Sequence, residues 1–451
     1  MLDLKAQAYP LPEAIESAVL SGSFSFATSL MEHYLSDQGC PEELKERILW
    51  EMHSISSLKN QYPYTLEEAE SLLAKAYPDT YKKGRISSYI LSGALDWRFI
   101  EGKLMIERRV VENAAKRVEE LVQCLSDDNQ DADLTLRDDN IAFMKDKRRR
   151  KARIRLKAEV KPLSGFGSDV FINIPVVRKA DSVEDIRFIS ASAGYIGVDD
   201  ESSLFRSARF EKKLEKDDSF FIEFEYTINS TLNEDIECDD VAEDDKDSEY
   251  LKEEWPHIQF SPYLKALAHR ITKNSHTLAE KARAIYDWIT KNVKYSYVRE
   301  YATISNLSEY AASNLKGDCG IQALLFITLC RISGVKARWE SGWYTTPEGV
   351  FCHDWAEFHI PGRGWLFADC SFGGGGYRQG KLDRWNYYFG SRDIFRTPIN
   401  GLAMGKLSGK RHLPADPIDN QRGEGELEER ALERDELEWK AEVLDFQILE
   451  E

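Results

Sequence analysis

The chain has 451 residues, 42% hydrophobic and 31% charged, and its 78 acidic and 60 basic side chains leave a formal net charge of -18. That length exceeds one ordinary hydrophobic core and predicts two to four domains. The acidic balance argues against non-specific binding to nucleic acid or to anionic membrane surfaces.

The first residues, MLDLKAQAYPLPEAIESAVL, lack a basic block followed by an apolar one, so they do not read as a secretory signal. No stretch approaches the ~18 uninterrupted apolar residues of a membrane helix, and the expectation is a cytoplasmic protein. Seven scattered cysteines fit a reducing compartment better than a disulfide framework. None of them shows the CxxC or CxxH spacing of a zinc site, so neither a metal nor a cofactor is expected.

Residues 1–130 read as a helical domain, with apolar positions recurring every three or four residues in EELKERILWEMHSISSL and IERRVVENAAKRVEELVQCL. The acidic stretch SDDNQDADLTLRDDN (residues 126–140) reads as a boundary. Over 148–232 the period changes to two, in RIRLKAEV, DVFINIPVV and FFIEFEYTI, which predicts a small antiparallel β-sandwich. The basic run KDKRRRKARIR lacks interleaved aromatic residues and leads into an alternating strand. It reads as a solvated strand edge whose cations deter edge pairing, not as a nucleic-acid site.

Residues 233–254, NEDIECDDVAEDDKDSEYLKEE, lack the spacing and central glycine of a calcium loop and read as a self-repelling acidic linker. A third domain is expected over 255–415. It opens with amphipathic helices in SPYLKALAHRITKN and TLAEKARAIYDWITKNV, each led by a Ser or Thr suited to N-capping. The tail, residues 416–451, rich in Glu, Lys and Arg, reads as a charged surface helix.

Within the third domain, KGDCGIQALLFITLCRISGVKARWES sets Cys319 between small turn formers at the head of a helix apolar on every side. Unpaired N–H groups and the positive end of the helix dipole there favour a thiolate and can receive an oxyanion. The glycines beside it would let a substrate backbone approach. A thiol nucleophile needs a base, and the base needs an orienting group. CHDWAEFHI, PGRG and WLFADCSF read as strand, turn and strand. The parity of that hairpin makes His353 and Asp369 cross-strand or diagonal neighbours. His359 shares the parity of His353 and is its competitor. Cys352 and Cys370 flank the pair, share the opposite face, and could approach one another.

The motifs GDCGIQALLFITLCRISGVKAR, HDWAEF and GWLFADCSFG resemble the transglutaminase-like superfamily over about residues 255–375. The resemblance implies an α+β chain whose C-terminal core is a rearranged papain-like architecture, preceded by extensions like those of bacterial multidomain members. It implies Cys319 as nucleophile, His353 as general base and acid, and Asp369 as the group that orients His353. An aromatic residue upstream of the cysteine serves as oxyanion donor in the family. Tyr301 is the candidate here, with Tyr295 and Tyr297 as competitors.

The function so implied is acyl transfer from a peptide or protein amide through a thioester. A thiol hydrolase comes first because nothing in the sequence announces an amine-binding site. A protein cross-linking transglutaminase and a non-catalytic binding module are the alternatives. The same three side chains serve hydrolase and transglutaminase, so the triad alone does not separate them.

Overall fold

Two clusters of short helices form the N-terminal part. The computed structural model describes residues 4–122, 128–234, 236 and 248–449; residues 235 and 237–247 of the expected acidic linker lie outside the described residues. α1 (Glu13–Leu20), α2 (Phe24–Ser36) and α3 (Glu42–Gln61) bury Ile15, Phe24, Met31, Ile48 and Leu58 together. α4 (Leu66–Ala76), α5 (Ile86–Leu91), α6 (Val110–Arg117) and α7 (Glu119–Val122) surround Leu73, Ile86, Val110 and Ala114. Thr65 and Glu68 close a reciprocal capping box at the start of α4. A small sheet that the sequence reading missed, β1 (Tyr64–Thr65), β2 (Trp97–Ile100) and β3 (Lys103–Ile106), is inserted among these helices.

The acidic stretch expected as a boundary lies instead largely in a helix, α8 (Asp128–Lys147). Ile141 and Met144 on that helix are buried with Trp355, Phe367, Tyr387 and Tyr388. Polar residues of the helix dock on the body as well: Tyr344 donates to Asp133 at 2.7 Å and Arg384 to Asp138 at 2.7 Å, and Asn140 is buried.

β4 (Lys151–Pro162), β5 (Asp169–Pro175), β6 (Val183–Ala191), β7 (Tyr195–Val198), β8 (Ser207–Lys213) and β9 (Phe220–Asn229) supply most of two antiparallel sheets. Each sheet is completed from the C-terminal tail, by β17 (Glu424–Leu427) in the order β17-β5-β8-β7 and by β18 (Leu437–Leu449) in the order β18-β4-β9-β6. The tail is therefore not a surface helix: β17 and β18 are strands. The period-two pattern Leu437, Trp439, Ala441, Val443 was present in the sequence, and the density of Glu and Lys between those positions masked it. Nor is β4 an edge strand, since β18 pairs with it from Leu437–Pro162 to Leu449–Lys151. Its cations occupy the outward positions of a central strand.

Two capped helices open the third region. Ser261 accepts a bond from the Leu264 N–H at the head of α9 (Pro262–Thr272), and Thr277 forms a capping box with Glu280 at α10 (Leu278–Asn292). A parallel bridge of β10 (Lys294–Tyr295) with β11 (Lys316–Gly317) flanks α11 (Leu307–Asn314) and leads into α12 (Cys319–Ile332). β12 (Ala337–Thr346), β13 (Gly349–Ile360) and β14 (Gly364–Ala368) follow, with α13 (Cys370–Arg378) and α14 (Leu382–Tyr387) before β15 (Phe389–Gly390) and β16 (Arg396–Asn400). These strands form one sheet, β15-β14-β13-β12-β16.

One face of that sheet carries Ala337, Trp339, Ala356, Phe358 and Ile360 against α12. The far end of β12 gives Trp343 and Tyr344, from opposite faces, to the sandwich core together with Phe395, and Trp343 lies 6.3 Å from Phe224 and 5.8 Å from Trp439. Deleting residues 437–451 thus strips a partner from β4 and opens a core shared by two regions. The expected outcome is a fall in thermal midpoint on the order of 10 °C, read by circular dichroism. An unchanged midpoint would restore the picture of a dispensable tail.

Candidate active site

Cys319 is the first residue of α12 and is half-buried. Asp318 caps the helix, its carboxylate accepting from the Ile321 N–H at 3.4 Å. The neighbouring glycines make room for side chains of this protein. A Cβ on Gly320 would stand 2.5 Å from Tyr301 Oη and 2.9 Å from Asp354 Oδ2, and one on Gly317 would stand 2.6 Å from the Ile321 side chain.

The hydrogen-bond partner of the thiol is Asp354. Cys319 Sγ donates to Asp354 Oδ2 at 3.3 Å, and Gln421 Nε2 donates to Asp354 Oδ1 at 2.6 Å and to the His353 carbonyl at 2.9 Å. Burial and the nearby Asp354 and Asp318 carboxyls push the Cys319 thiol well above its ordinary range. Burial, followed by repulsion from Asp318, raises Asp354 as well, and burial pushes Asp318 up to about 6. This reverses the electrostatic expectation for the cysteine. The helix dipole favours a thiolate by at most ~2 kcal/mol, and here partial burial and two carboxyls outweigh it, so the resting thiol is neutral.

His353 and Asp369 do meet. Their Nε2 and Oδ2 atoms are 2.7 Å apart, across the diagonal that the register Glu357–Phe367 and Ala356–Ala368 creates. Asp369 ends β14 and caps α13, accepting also from Ser371 Oγ and the Phe372 N–H, each at 2.9 Å. Arg396 Nη1 adds an ion pair at 2.9 Å. Burial alone would raise Asp369, but His353 and Arg396 more than offset it and hold the carboxylate well below its usual range. Burial lowers His353 despite Asp369, which keeps the imidazole neutral near pH 7. The ring lies 4.4 Å from that of Phe372.

The thiol's partner Asp354 and the imidazole leave β13 in opposite directions. The pairing of β12 with β13 runs without a register shift from Ala337–Phe358 to Thr346–Gly349, so side chains alternate strictly. Asp354 and Ala356 take the face toward α12, and His353 and Trp355 take the other. Among the described residues no hydrogen bond joins Cys319 to His353. The structure brings together two of the three predicted residues and sets a fourth, Asp354, against the thiol. The same strand parity that paired His353 with Asp369 put Asp354 toward the helix. Gln421 and Arg396, from the far C-terminal part, left no local signal.

His359 lies six residues along β13, about 20 Å, against Trp365 at 5.4 Å. Tyr301 donates its hydroxyl proton to Asp318 Oδ1. Tyr295 bridges to Gly317 across β10 and β11, and burial with the nearby Cys319 and Asp318 raises its hydroxyl pKa. Cys370 begins a helix where a continuing strand was expected. It is buried in the α12 core while Cys352 packs at the sandwich core 3.4 Å from Arg422 Nε, and both are free thiols.

Two outcomes follow from these contacts. Asp354→Asn removes a carboxyl that raises the thiol, so the pH midpoint for alkylation of Cys319 by iodoacetamide falls and the rate at pH 7 rises severalfold; an unchanged profile by mass spectrometry contradicts the pairing. Arg396→Leu strands Asp369 and Asp393 without their shared buried cation. It is expected to destabilise the fold by ~3–5 kcal/mol in urea titrations.

Residues 265–370 match the family model of the transglutaminase-like superfamily. No curated protein matches the chain. Among solved structures it is similar to a candidate cysteine protease from Cytophaga hutchinsonii, with 18% identity, a TM-score of 0.42, and coverage of 66% of this chain and 91% of that one. It is also similar to the periplasmic domain of TgpA from Pseudomonas aeruginosa, at 12% identity and a TM-score of 0.30, covering 51% of this chain and 92% of that one. Residues 265–370, which span the head of α12 and the β13–β14 hairpin, thus carry a transglutaminase-like domain.

Proposed function

We propose that the chain is a cysteine-dependent acyl-transfer enzyme acting on peptide or protein amides, and specifically a thiol hydrolase. The observation that carries this reading is the 2.7 Å bond between His353 Nε2 and Asp369 Oδ2. It fixes the ring so that Nδ1 is the nitrogen left to take a proton, on the residue adjacent to the one that the thiol touches. A neutral imidazole next to a carboxylate is the protonation state that a general base needs.

The reaction requires a rearrangement that takes Cys319 off Asp354 and brings it within reach of His353, because the resting site holds the two on opposite faces of β13. The thiol proton passes to His353 Nδ1 as Sγ bonds to the amide carbon. The Cys319 N–H receives the oxyanion, with a tyrosine hydroxyl as second donor. Tyr301 is engaged with Asp318, whereas Tyr295 has no hydrogen bond among the described residues and is the better placed of the two. His353 then protonates the leaving amine, the C–N bond breaks, and a thioester remains. Water, deprotonated by His353, releases the acid.

Cys319→Ala is expected to abolish amine release from a peptide library, and His353→Ala to lower kcat by about 10²–10⁴-fold. The acid limb of the wild-type profile lies below pH 6.5, the ordinary imidazole value, because His353 is lowered and must be unprotonated to act. A labelled primary amine run in parallel distinguishes the outcomes. Amine release without label incorporation supports a hydrolase, and incorporation at glutamine makes the enzyme a transglutaminase. Wild-type protein inert in both assays leaves a binding module.

A further inference from the structure

Beside the thiol stands a pair of cations that the chemistry above does not use. α6, from the N-terminal helical region, docks on the segment that precedes Cys319. Asn113 Oδ1 accepts from the Tyr297 N–H at 2.9 Å and Asn113 Nδ2 donates to the Tyr297 carbonyl at 3.0 Å. This docking sets the Arg109 guanidinium 4.4 Å from the centre of the Tyr297 ring, and Lys116 Nζ 5.1 Å from the same ring and 5.3 Å from that of Tyr295. The two rings meet edge to face at 5.8 Å. Tyr295 is the bridge partner of Gly317, two residues from Cys319, and the Ser296 N–H bonds the Gly317 carbonyl at 3.2 Å. Tyrosines and cations thus form one wall beside the start of α12.

In a chain with an excess of carboxylates, most Arg and Lys near the domain contacts are paired: Lys316 with Asp96, Arg384 with Asp138, Arg178 with Glu340. Arg109 and Lys116 are different. Among the described residues neither side chain forms an ion pair or a hydrogen bond, and Glu112, which lies between them on α6, makes no ion pair with Lys116. Arg109 is exposed. Stacking on an aromatic face leaves the donors of a cation's outer edge open to an anion.

We infer that Arg109 and Lys116 are specificity-determining residues that select substrates carrying a carboxylate next to the scissile amide. The inference rests on the acyl-transfer reading and names the substrate class for that site: acidic peptides, bound across the junction of the N-terminal region and the catalytic domain.

The test uses two peptidyl acyloxymethyl ketones that differ only in Glu or Gln at the residue next to the warhead, with labelling of Cys319 followed by mass spectrometry on the full chain. Wild-type protein is expected to react about fivefold faster with the Glu probe at low salt, a factor in the range of an exposed ion pair. That preference should shrink at 0.5 M NaCl and vanish in Arg109→Gln/Lys116→Gln. The double variant should keep the wild-type rate with iodoacetamide, which shows that it is folded. Equal Glu and Gln rates in wild-type protein, or a preference that survives the double substitution, overturn the inference and leave the thiol chemistry standing. Failure of both probes to label Cys319 overturns the inference together with the acyl-transfer reading.

Discussion

The 3.3 Å contact between Cys319 Sγ and Asp354 Oδ2 joins the head of the most buried helix to the central strand of the sheet beneath it. It requires glycine at position 320, because any larger residue would collide with Asp354 or Tyr301. It also requires Gln421, which clamps Asp354 and the His353 carbonyl together from a segment almost seventy residues downstream. A carboxyl this dry is costly to ionise, and the thiol beside it shares that penalty. The resting site is therefore close to neutral where the helix dipole alone would have made it anionic.

On the other face of β13, charge is handled in the opposite way. His353, Asp369, Arg396 and Asp393 are buried together, and the carboxylates are fully bonded. Such a cluster contributes little net stability, but it is severe to break and holds its members in one geometry. One strand thus presents a carboxyl of raised pKa to the thiol on one face and a rigidly oriented imidazole on the other. The strand is braced where two sheets meet, through Trp343 on one and Phe224 and Trp439 on the other.

Much of this was legible in the sequence. Hydrophobic period placed the helices and the first strands of the sandwich, and hairpin parity placed His353 opposite Asp369 on the diagonal. What escaped was of two kinds. Local composition misled where charge density hid periodicity, as in β18, and where an acidic stretch that reads as a boundary is the helix α8. Long-range partners were invisible because no local pattern encodes them: Gln421 on Asp354, Arg396 on Asp369, β18 on β4. The cysteine shows both lessons. Its place at the helix head was readable, but its protonation depends on Asp354, which reaches it through tertiary packing.

The most direct test of a thiol kept neutral by its surroundings is its own titration, followed as the thiolate absorbance at 240 nm in wild-type protein with Cys319→Ser subtracted. The account predicts that Cys319 deprotonates above the ~8.5 of a free cysteine. A thiolate already formed at pH 6 would contradict it, and would show the helix dipole and the imidazole prevailing over burial and the two carboxyls.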